Sequence, residues 1–175
     1  MDFKFRRVAT FFTLTTLVIS LTACAGSRKF QCRKLMEVVD QGNMAIAAQD
    51  EKASGAATIK LAQELNMIAD QMEDLYLTNG RLKKIREGFT EVFREFATAL
   101  NEMGRALEAG EKAPVSVEGR TKLVQEIDKV NQVSKRTIPL SEKAETLMAE
   151  MEKRCPPESL QPEEPEPEPD NNSLK

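Results

Sequence analysis

The sequence predicts an all-α protein, an antiparallel helical bundle followed by a disordered C-terminal tail. Two observations carry this. The body of the chain is built from Met, Leu, Ala, Glu, Lys and Gln, with no tryptophan and little aromatic content. Its apolar residues recur at steps of three and four, and no stretch alternates apolar and polar residues as a half-buried strand would.

The first helix is predicted from about Arg28 to Ala48, marked by Leu35, Val38, Val39 and Ile46. A second follows from about Ser54, a good N-cap, to Thr78. Leu61, Leu65, Ile68, Met72 and Leu75 form its stripe. The segment between them, Gln49 to Gly55, is polar but has no proline, so one uninterrupted helix of about fifty residues is the alternative. The third helix is the clearest. Leu82, Ile85, Phe89, Phe93, Phe96, Leu100, Met103 and Leu107 make one apolar stripe among charges. Asn79-Gly80 reads as the turn before it, and Gly110 to Pro114 as its end.

The fourth helix is predicted from about Val117 to Arg154. Leu123, Ile127, Val130, Ser134, Ala144, Leu147 and Met151 are its expected buried face. Pro139 lies inside the pattern. It has no N–H to donate and its ring crowds the carbonyl of Lys135, so a kink or break is expected, with Ser141 capping a restarted helix.

Beyond Cys155 the composition changes. Pro156-Pro157 stop the helix, and from Pro162 to Asp170 proline alternates with acid. Such a segment buries no apolar surface and repels itself, so residues 156–175 are expected to be disordered, with polyproline-II character. A solubilising tail is the simpler reading, a docking tail the alternative.

The N-terminus carries an address. Lys4, Arg6 and Arg7 precede an uncharged apolar run from Val8 to Ile19, and Leu21-Thr22-Ala23-Cys24 follows. The run is too short to span a bilayer, which takes ~20 apolar residues. This order resembles the signal peptide and lipobox of a bacterial lipoprotein. The resemblance covers about the first 25 residues; the remainder of the chain resembles no family. It implies cleavage before Cys24, a diacylglycerol on that thiol and acylation of the new amine. The expected organisation is then a signal peptide at 1–23, a lipidated N-terminus and short linker at 24–29, a bundle at 30–155 and the tail at 156–175. The membrane becomes a partner through lipid on Cys24, on the periplasmic or exterior face. Ala25 stands where an aspartate is the usual inner-membrane retention signal, which favours the outer membrane in a diderm host.

Of three cysteines, lipidation consumes Cys24. Cys32 and Cys155 remain, an even pair in an oxidising compartment, and are expected to form a disulfide. Cys32 opens the first helix and Cys155 closes the last. In an up-down bundle only an even number of helices returns the chain to its starting end, so the bond selects four helices over three with one very long helix.

The chemistry is sparse. Histidine is absent, which removes the commonest general base and metal ligand. No glycine-rich phosphate loop follows a strand. Glu91 with Glu95, and Glu64 with Asp70, read as solvated surface, and Tyr76 as a partly buried packing residue. No catalytic residue, metal site or cofactor is expected, and the protein is not expected to be an enzyme. From Cys24 to Cys155 the chain holds 21 basic and 21 acidic residues. A neutral body predicts no footprint for nucleic acid or anionic lipid. The expected role is structural or protein-interacting. The alternative is a module holding a small apolar ligand between helices, walled by Phe89, Phe93 and Phe96 and cushioned by methionines such as Met67, Met72, Met103, Met148 and Met151.

Overall fold

The computed structural model describes residues 27–49 and 54–156. Cys24, the expected signal peptide and the expected disordered tail beyond Pro156 lie outside the described residues. Four helices follow in order: α1 Arg28–Ala47, α2 Gly55–Glu73, α3 Gly80–Glu111 and α4 Val117–Arg154. They pack as an all-α bundle.

Each start has a side-chain cap for its orphan N–H groups. Ser27 Oγ accepts from Phe30 N at 3.2 Å, so α1 begins two residues inside the expected 24–29 linker. Ser54 Oγ accepts from Ala57 N at 3.3 Å. With Ala48 closing α1 and Ser54 opening α2, the two are separate helices. Asn79 Oδ1 accepts from Arg81 N and Leu82 N, which makes Gly80 the first residue of α3 rather than part of a turn.

α2 ends at Glu73, short of the expected Thr78. The cause lies in other helices. Arg86 Nη1 on α3 donates to the carbonyls of Glu73 and Leu75 at 3.2 and 3.0 Å. Buried Gln31 on α1 accepts from Thr78 N at 2.8 Å and Asn79 N at 3.1 Å, and its Nε2 donates to Thr78 Oγ1 at 2.8 Å. These bonds hold the connection extended. It turns Leu77 inward and leaves Tyr76 exposed, contrary to the partly buried position expected for that ring.

α3 is the hub. α2 packs along one side of it and α4 along another, while α1 covers α2 and the lower part of α3. Leu35, Val39, Leu65, Met72, Leu82, Phe89 and Phe93 form the centre of the core. α3 is also buried on a second face, at Ile85, Val92, Ala99 and Ala106, four residues spaced by seven. Gly88, in phase with them, meets the Leu147 side chain of α4. The small residues let α4 lie close along α3.

α4 runs unbroken through Pro139. Ser141 caps nothing; its Oγ donates to Thr137 O at 3.3 Å. Pro139 and Lys135 are both exposed, so the carbonyl deprived of its donor lies on the solvent side of the helix, where the loss costs least. The α3–α4 turn is tight. Gly119 N donates to Ser116 Oγ at 3.1 Å, and a Cβ on Gly119 would lie 1.7 Å from the carbonyl oxygen of Pro114.

Two substitutions test this packing. Phe93 is 3% exposed, and a Cβ on Gly42 of α1 would lie 2.4 Å from its Cζ. Phe93→Ala is expected to cost ~3 to 5 kcal/mol in urea denaturation. Gly42→Ala should cost ~1 to 3 kcal/mol by overpacking the same place. A loss under ~1 kcal/mol for Phe93→Ala contradicts a closed site.

Candidate functional site

The pole where the chain enters and leaves the bundle is closed by the Cys32–Cys155 disulfide, with Cα atoms 5.5 Å apart. Both cysteines are buried. Cys155 N donates to Met151 O at 2.7 Å, and Arg28 Nη2 donates to Arg154 O at 2.7 Å. The end of α4 is thus tied covalently and by a hydrogen bond to the start of α1. The start of α3 lies at the same pole, because Gln31 holds the residues just before it.

Charge is not spread evenly over this body. α1 opens with Arg28, Lys29, Arg33 and Lys34 and has no acid before Glu37. α3 opens with Arg81, Lys83, Lys84 and Arg86 and has no acid before Glu87. With the α2–α3 connection and the end of α4, residues 27–34, 74–86 and 149–156 hold ten basic side chains against three acidic ones. The body is neutral in sum, but its basic residues are concentrated at this pole. Some of this charge is engaged. Lys34 Nζ pairs with Glu37 at 2.8 Å, a hydrogen bond that holds the Glu37 carboxyl below its ordinary range. Arg86 is committed to the carbonyls of Glu73 and Leu75.

The phenylalanines are core. Phe89 and Phe93 are buried and stacked with centroids 6.2 Å apart, and Phe96 is half-buried beside them. Met72 and Met151 are buried and Met148 packs on the core, while Met67 is exposed. The carboxylates of Glu64, Asp70, Glu91 and Glu95 sit on exposed faces. Glu91 pairs with Lys143 at 2.7 Å. Arg94 bridges Asp70, at 3.1 Å, and Glu73, and these hydrogen bonds, Asp70 first, reinforce its charged form. Among the described residues no cluster of three or more Cys, Asp or Glu side chains is placed to hold a metal ion, and no helix is long and apolar enough to cross a membrane.

The expected buried face of α4 is partly wrong. Gly119, Glu126, Val133 and Leu140, each seven residues apart, point into the packing with Met151. Leu123 is 41% exposed, Ile127 is 50% exposed and Ser134 is exposed. Val130, Ala144 and Leu147 are half-buried. A seven-residue spacing keeps one seam of contacts facing the neighbouring helix along its length. One seam position is Glu126, whose carboxylate is satisfied by Lys129 Nζ at 2.8 and 3.0 Å. A reading by apolarity skips that acid and selects the neighbouring stripe. With only α3 to cover it, this stripe lines an apolar surface groove of about 310 Å³, bounded by Leu107, Gly110, Leu123, Ile127 and Val130.

The chain matches no known protein family, no curated protein and no solved structure.

The disulfide closes a loop across a separation of 123 residues. The variant Cys32→Ser/Cys155→Ser is expected to lose ~2 to 5 kcal/mol of stability, the upper figure being the chain-entropy value. Denaturation with and without reductant checks it: wild type should fall to the variant's midpoint on reduction, and the variant should not move. On the groove, Ile127→Ala should cost less than ~1 kcal/mol, against ~2 to 5 kcal/mol for the fully buried Leu35→Ala.

Proposed function

We propose that this is a lipid-anchored protein of the bacterial cell envelope, held by acyl groups on Cys24, whose helical bundle has a structural or protein-interacting role. The observation that carries the reading is the Cys32–Cys155 bond at the pole where the chain enters from Cys24. A buried disulfide that closes nearly the whole body suits the oxidising side of a membrane. So does a signal segment ending in Leu21-Thr22-Ala23-Cys24. Because Ser27 already caps α1, only three chain steps separate Cys24 from the bundle, at most ~11 Å. Two or more acyl chains make such an anchor stable, whereas one is marginal. The envelope face is periplasmic or exterior, and Ala25 points to the outer membrane in a diderm host.

The role is assigned to interaction because an apolar groove lies open on the surface between α3 and α4. Such a groove suits the apolar face of a partner helix. The second reading, a small apolar ligand between helices, is favoured by the same groove and moves from the phenylalanines to Leu107, Leu123 and Ile127. Neither reading assigns a catalytic residue, a cofactor or a nucleic-acid surface.

Fractionation of cells expressing wild type and Cys24→Ser tests the anchor. Wild type is expected in the membrane fraction after detergent-free washing, and Cys24→Ser in a precursor-sized form that carries no acyl label. Equal labelling and equal retention of both would overturn the reading.

A further inference from the structure

We propose that the disulfide pole is a contact surface for anionic phospholipid headgroups, so that the bundle stands on the membrane by this end. The proposal deepens the anchored reading above and rests on it for orientation; the binding surface itself stands on the bundle.

Seven exposed basic side chains converge there from α1, α3 and α4, against Asp74, Glu150 and Glu152; Lys34 and Arg86 are paired with Glu37 and Glu87 and add no free charge. Arg28, Lys29, Arg33, Arg81, Lys83, Lys84 and Lys153 are solvent-exposed. Arg81, Lys84, Lys153 and Arg154 share one surface groove with Glu150 as its acid. Side chains lean toward the N-terminus of their helix, so those opening α1 and α3 tilt outward over the pole.

The arrangement runs against local helix preference. A helix N-terminus carries partial positive charge and favours acids in its first turn. Neither α1 nor α3 has an acid there. Two positive helix ends are instead crowned with cations, which costs the isolated helices stability. Such a broken local rule is expected where function demands it. A dense anionic plane resolves this repulsion by meeting the exposed cations; the ends of α2 and α4 at the same pole carry the opposite partial charge, so the cations and not the helix dipoles supply the attraction. The short chain between Cys24 and Ser27 holds the pole within about a Debye length of the bilayer, where basic residues feel an anionic leaflet.

One competitor belongs to the same chain. The acidic run Glu163 to Asp170 follows Cys155 closely in sequence and carries the opposite charge.

The experiment uses the chain from Ala25 to Lys175, which has no acylated residue and contains the whole disulfide-closed core. Co-sedimentation is measured with vesicles of phosphatidylcholine alone and with about a third phosphatidylglycerol at low salt. Binding is expected only to the anionic vesicles, with loss at high salt. The charge reversal Lys29→Glu/Lys83→Glu/Lys84→Glu is expected to weaken it by about tenfold or more. The remote reversal Lys60→Glu/Lys112→Glu/Lys122→Glu, equal in net charge, should change it by less than about twofold. Circular dichroism checks that both fold; the pole variant places acids near helix starts and is expected to melt no earlier than wild type. Lys29→Gln/Lys83→Gln/Lys84→Gln, which only neutralises, should fall between wild type and the reversal.

Absence of binding to anionic vesicles by this chain overturns the proposal. So does an equal loss from the two reversals, which would show net charge acting rather than the pole. If only a chain truncated after Pro157 binds, the acidic tail occupies the pole and the membrane assignment falls. None of these outcomes depends on lipid at Cys24, so the anchor and the surface fail separately.

Discussion

The disulfide between Cys32 and Cys155 is the constraint on which the arrangement depends. α4 packs along α3 and barely touches α1 or α2. Apart from that packing, its far end is held to the rest of the fold by one covalent bond and by the hydrogen bond from Arg28. The bond brings the start of α1 and the end of α4 to a single pole. It also demands an even number of helices, because a fifth or a missing helix would put the two cysteines at opposite ends. The core and the charged end are thereby set in register.

α3 has the burden of being buried on two sides. The face toward α1 and α2 is large and aromatic, with Phe89 and Phe93 at its centre. The face toward α4 is small, with Val92, Ala99 and Ala106. The first fills space by volume; the second admits a close neighbour along the helix. A two-sided helix of this kind makes the bundle a pair of unequal layers joined through one element, and it leaves the start of α4 with a single partner.

Much of the fold was legible in the sequence, and what was missed has specific causes. α1, α3 and α4 lie where apolar periodicity puts them, because each has a long stripe. The end of α2 was not legible, since Arg86 and Gln31, from other helices, compete for the backbone after Glu73. Pro139 was weighed as a break because its lost hydrogen bond was counted without asking which side faced water. The α4 face was misjudged because Glu126 occupies a seam position, and an acid there disguises the period. The second face of α3 had a signal in its seven-residue spacing of small residues, which a search for large apolar side chains passes over. The proposed lipid-attachment site rests on local residue order near the N-terminus, independent of the fold. The charged pole was invisible for another reason. Counting charges over a segment discards their position along helices, and position is what brings the starts of α1 and α3 together.

The α3–α4 hairpin has a mechanical consequence. α4 is 38 residues long, which at 1.5 Å per residue is ~57 Å of continuous helix. The apolar groove around Ile127 therefore sits ~40 Å from the disulfide. Whatever grips the pole and whatever seats in the groove are held apart by that distance, with no loop between them to absorb slack. The molecule is a strut with two dissimilar ends, and a pull at one is felt at the other through helix rather than through linker.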